Sequence, residues 1–162
     1  MPWMGEGAAR HRSHRFDARR QDVLQAAVNV TASRTGPSTL ALILAPGQVG
    51  HAFPTGDLFR RLVVSAEAVG DDWSVIAEGS RSLQRRFAWR QLTPNHVARH
   101  VVADDRVGVG PTAPVVLELG DAASGAAIAW RVEYQRVEHP VGVDDADAVV
   151  AESIVVAEGQ VP

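Results

Sequence analysis

Along much of this chain apolar and polar residues alternate with a period of two, the mark of half-buried β-strands. The alternation is cleanest over residues 128–134, where Ile128, Trp130, Val132 and Tyr134 fall on one side and Arg131, Glu133 and Gln135 on the other. Residues 58–69 repeat it, with Leu62, Val64, Ala66 and Ala68 against Arg61, Ser65 and Glu67. Residues 39–45 are apolar on both faces and predict a central strand. With residues 28–32 and the Gly36-Pro37-Ser38 turn they predict a hairpin over 28–45. Residues 73–77, 115–119 and 153–157 predict further strands. Helix signals are few. Asp22 to Ala27 predicts a short helical turn with an acid near its start, where the helix dipole favours it. Thr93-Pro94-Asn95-His96 has Pro where a helix can begin. A helix over 94–103 would set His96 and His100 on one face, and an irregular segment is the alternative. Residues 80–91 interleave Leu83, Phe87 and Trp89 with Arg81, Arg85, Arg86 and Arg90.

About seven or eight short strands separated by frequent turns predict an all-β fold, an immunoglobulin-like antiparallel β-sandwich. Residues 1–21 are polar and rich in His and Arg, so they can bury no face and are expected to form an extended N-terminal arm. Residues 22–162 are then the sandwich domain, and a chain of 162 residues suffices for one proper core.

Composition narrows the chemistry. There is no cysteine, which removes disulfides, thiolate catalysis, thiolate metal sites and covalent haem attachment through Cys-x-x-Cys-His. A net charge of −3 gives no reason to expect nucleic acid or an anionic membrane as partner. No apolar run approaches the ~20 residues that span a bilayer, and Met1 to Gly7 lacks the charged-then-apolar pattern of a signal peptide. No nucleophile elbow, phosphate loop or paired-carboxylate motif is present, so no enzyme is expected.

The least generic stretch is Gly50-His51-Ala52-Phe53-Pro54-Thr55-Gly56-Asp57. Pro54 fixes its own φ and pushes Phe53 to an extended conformation, so residues 53–56 predict a β-turn with Pro second and Gly fourth. His51 is placed just before this rigid corner.

With the strand following it, Phe59-Arg60-Arg61-Leu62, this stretch resembles the Gly-His-x-x-Pro-Thr-Gly corner of the C-terminal β-sandwich region of bacterial multihaem c-type cytochromes. Ser13-His14-Arg15-Phe16 with His11 upstream resembles the histidine segment preceding that sandwich. Asp105-Arg106-Val107 up to Pro111 is similar to the loop before a late strand, and residues 129–134 to the penultimate strand. The resemblance implies a module of electron transfer that packs against, or ligates, haem held elsewhere. The partner would be the haem-bearing segment of a parent cytochrome or a partner cytochrome. It also implies a periplasmic or extracellular setting if the parent is exported. The family holds its haems on Cys-x-x-Cys-His segments, the last often running into Met-Pro, whereas this chain begins Met1-Pro2 and has no cysteine. The expectation is therefore a C-terminal part of a longer cytochrome, the alternative being a domain that has lost its haems. An in-frame Cys-x-x-Cys-His upstream of Met1 would separate the two.

Each candidate residue has a plainer alternative. The resemblance makes His11 and His14 possible distal axial ligands to haem, against a mobile tail. His51 is either a haem ligand or neighbour, or a ring that hydrogen-bonds loop backbone. His96 and His100 suggest a zinc or copper clamp, although two ligands are too few for a tight site. The arginines at 81, 85, 86 and 90 can pair with haem propionates or form a solvated strand face. Asp144, Asp145 and Asp147 suggest calcium or simply a polar loop. Phe87, Trp89, Trp130 and Tyr134 are expected in the core. A haem-free immunoglobulin-like interaction module, its histidines structural, is the alternative to the cytochrome reading.

Overall fold

The alternating segments stack as two antiparallel sheets in the computed structural model, which describes residues 3–4, 7, 11–12, 20–55, 59–139 and 148–162. The elements run β1 (Trp3–Met4), β2 (His11–Arg12), α1 (Gln21–Gln25), β3 (Val28–Gly36), β4 (Thr39–Pro46), β5 (Arg60–Val69) and β6 (Val75–Leu83). They continue with β7 (Arg85–Thr93), β8 (His96–Asp104), β9 (Val115–Glu118), β10 (Ala127–His139) and β11 (Val149–Val161). One sheet has the order β11-β10-β5-β6 and the other β3-β4-β9. If these seven strands are lettered A to G in chain order, with β6 as C′, the sheets are G-F-C-C′ and A-B-E. That is an immunoglobulin-like sandwich. β7 and β8 form a separate two-stranded ribbon, and β1 pairs with β2.

Side-chain period fixes which face each strand buries. Leu40, Leu42 and Leu44 of β4 face Leu62, Val64, Ala66 and Ala68 of β5 and Ile128, Val132 and Tyr134 of β10 across one shared core. Fully burying such a side chain stabilises by roughly 2 kcal/mol. β10 is the spine of its sheet, pairing Trp130 with Ala66 on one side and Gly159 on the other. Gly159 is required there, since a Cβ would meet the Trp130 ring at 2.6 Å.

Three local expectations give way to the structure. Residues 94–103 are not helical. Thr93 pairs with His96 around a two-residue turn at Pro94-Asn95, and β8 runs on from His96. Pro94 suits a turn as well as it suits a helix start, and the β-branched Val97, Val101 and Val102 favour the strand. Trp73 does not begin a strand. Asp72 accepts hydrogen bonds from Ser74 N–H at 3.0 Å and its hydroxyl at 2.6 Å, closing a turn in which Trp73 takes φ 65° and is 86% exposed. Strand pairing therefore starts at Val75. Finally, Phe87 and Trp89 lie outside the core, because the ribbon that carries them leaves the sandwich.

Candidate functional site

The corner after β4 is held by the segment that follows the ribbon. Phe53 and Val107 form an isolated antiparallel bridge, each N–H donating to the other's carbonyl at 2.9 Å. Phe53 is buried with its ring stacked on Tyr134, centroids 5.9 Å apart. The Phe53–Pro54 peptide bond is cis, and Pro54 is buried. The turn drawn from the sequence ends on Gly56, outside the described residues. Gly108, directly after Val107, takes φ +86°, a conformation that L side chains rarely adopt.

Arg106 fastens this corner. It is only 7% exposed, its Nη1 donates to the Pro54 carbonyl at 3.1 Å, and its guanidinium grips both carboxylate oxygens of Asp104 at 2.7 Å. Asp104 also accepts from Arg85 Nε at 3.1 Å. Hydrogen bonding from Arg106 above all, with a smaller contribution from Arg85, holds the Asp104 carboxyl below its usual value against the opposing effect of burial. Asp105 completes the junction, taking Gln84 N–H at 2.7 Å and Arg86 Nη1 at 2.9 Å. Of the four arginines singled out in residues 80–91, Arg85 and Arg86 are therefore engaged at the root of the ribbon, while Arg81 and Arg90 are exposed.

His51 sits two residues before Phe53 and is exposed. Its Nδ1 lies 3.1 Å from the Ala52 carbonyl oxygen. A carbonyl only accepts, so this contact needs Nδ1–H, and in the neutral ring Nε2 keeps its lone pair. An imidazole fixed in that way is prepared to give Nε2 to a metal. Of the two readings of His51, the geometry shows the hydrogen bond to loop backbone.

The remaining candidates are placed unevenly. His11 pairs through its backbone with Met4, and His14 lies outside the described residues, as do Asp144, Asp145 and Asp147. His96 and His100 are exposed on β8, and four residues along a strand span about 13 Å. The helical two-histidine clamp is accordingly not formed. Among the described residues no group of three or more His, Asp or Glu side chains could hold a metal ion. No helix among them is long and apolar enough to cross a membrane. The cleft beside the corner, lined by Leu44, Leu83, Arg106, Val107 and Val115, has a volume of about 140 Å³. Ligand pockets measure about 300 Å³ or more, so this cleft is too small for one. The role of Arg106 and Asp104 was missed in the sequence. An Asp-Asp-Arg run gives no sign that its arginine reaches back 52 residues to Pro54.

The sequence matches no protein-family model and no curated protein. Among solved structures it is similar to the crystal structure of a penta-heme cytochrome c552 from Thermochromatium tepidum. The TM-score is 0.61 at 14% identity, over 89% of this chain and 41% of that one. The sandwich is thus a fold that also occurs within a multihaem cytochrome, and the chain spans less than half that protein's length.

Proposed function

We propose that this chain is a non-enzymatic β-sandwich module of a multihaem cytochrome assembly, packing beside haem carried by other polypeptide and offering His51 as an axial ligand. One observation carries the reading: an exposed imidazole, its Nδ1 bonded to the Ala52 carbonyl, standing on a corner that Arg106 ties to the sandwich. The fold shared with a penta-heme cytochrome supports the context. The haem would be held by a parent or partner chain, because cysteine is absent here. His11 and His14 are the second ligand candidates in this proposal, and an exported, periplasmic or extracellular setting follows from it.

Optical titration of the full chain with ferric haem tests this. The wild type is expected to shift the Soret band and saturate at one haem per chain. His51→Ala should lose that shift, while His11→Ala and His14→Ala separate the contribution of the arm. A shift that survives His51→Ala would remove His51 from the ligand set. An unshifted wild type would favour the second reading, a haem-free interaction module, which the exposed apolar ribbon supports.

A further inference from the structure

The β7–β8 ribbon has an apolar face that the monomer leaves uncovered. Its register puts Phe87 opposite Val101, Trp89 opposite Arg99 and Gln91 opposite Val97 on one side. Trp89 is 64% exposed, with the Arg99 guanidinium 4.6 Å from its ring centroid. The other side carries Arg90, His100 and alanines, and the exposed Leu92 and Val102 stand at the two bulged positions. Two-stranded ribbons are marginal in water by themselves, and an exposed aromatic and aliphatic face of this kind marks a contact surface.

Charge restricts what can cover it. The ribbon, residues 85–104, holds four of the sixteen arginines and one acidic residue, Asp104, which Arg85 bonds at its root. The remaining twelve arginines stand against eighteen acidic residues, so the rest of the chain has a net charge of −6. Ribbon against ribbon would therefore bring like charges together. The body of another copy has the complementary sign. It also has an open receiving face on the outer side of β3-β4-β9, where Ile43 is 48% and Val116 42% exposed among Thr31 and Ser33. The charged side chain on that face is Glu118. The apolar side of the ribbon is polar at its tip, Thr93 to His96, which suits lying flat on a sheet better than piercing a bilayer.

We propose that two copies of this chain form a reciprocal dimer, the β7–β8 ribbon of each lying on the outer β3-β4-β9 face of its partner. The area argues for reciprocity. Nine residues per strand make a ribbon face of roughly 30 by 10 Å, about 600 Å² per contact counting both surfaces. One such contact falls short of the ~1,200 Å² of a stable interface, and two reach it.

The test is sedimentation equilibrium of the full chain without haem, so its outcome is independent of the ligand reading. The expected mass at low salt and micromolar concentration is twice the 17.3 kDa of the chain. Trp89→Ser on the ribbon and Ile43→Arg on the receiving face should each raise the dissociation constant roughly thirtyfold or more, as at a central interface anchor. Both positions are exposed, and circular dichroism should show both variants folded. A monomer at 100 μM, or an Ile43→Arg variant that dimerises normally, would overturn the proposal. The first outcome would assign the ribbon to a foreign partner, and the second to contact between ribbons.

Discussion

Arg106→Ala is expected to lower the free energy of unfolding by about 3 kcal/mol, the scale for removing one member of a buried hydrogen-bonded ion pair. For a chain of this size that is a fall of roughly 10 °C in melting temperature. The loss has two parts. Asp104, with 19% of its side chain exposed, loses both short bonds to the guanidinium and keeps Arg85 and the backbone N–H of residue 106. The Pro54 carbonyl loses the Arg106 donor that reaches it from 52 residues away. The sign of the pH dependence follows from the depressed Asp104 carboxyl. Its folded value lies below the ordinary 3.8, so its contribution is complete above that pH and disappears as pH falls through the lower folded value. Asp104→Asn should therefore flatten the acid limb of a stability-versus-pH curve and leave the neutral limb parallel to wild type. Urea unfolding between pH 2 and 7 measures both effects. An Arg106→Ala variant within about 0.5 kcal/mol of wild type would show that the corner does not depend on this arginine.

Leu42→Ala is expected to cost about 4 kcal/mol. Leu42 is fully buried in β4, the central strand of its sheet, with β3 on one side and β9 on the other. Strands on both sides limit how far the surroundings can collapse into the space left, which puts the change toward the upper part of the 2–5 kcal/mol range for such truncations. The adjacent Ile43→Val change, on the outward face, should cost less than about 0.5 kcal/mol. The contrast between neighbouring positions tests the period-two burial pattern, and urea midpoints at constant slope read it directly.

The body of the sandwich was legible because a strand that buries one face has to alternate. Residues 62–68 and 128–134 show the pattern with one apolar exception each, Val63 and Ala129, and they form the paired strands β5 and β10. The ribbon was not legible. Its apolar residues face solvent, so burial did not impose a clean alternation, and Pro94 fits a hairpin turn as readily as a helix start. Trp73 was misplaced for a related reason: a short side-chain hydrogen bond from Ser74 to Asp72 decides where β6 begins, and alternation carries no trace of it. At the corner, rigidity was legible from Phe53-Pro54, but its cause was not. The bridge to Val107 and the Arg106 clamp join segments more than fifty residues apart, and local propensity cannot report such contacts.

Amide hydrogen exchange at Phe53 and Val107 addresses most directly whether residue 51 stands on a fixed corner of the sandwich. Both N–H groups should exchange as slowly as those of β4 and β5 in the wild type and become markedly faster in Arg106→Ala. Exchange in the wild type as fast as at exposed loop positions would mean that the corner opens freely, and that no imidazole is held at the rim.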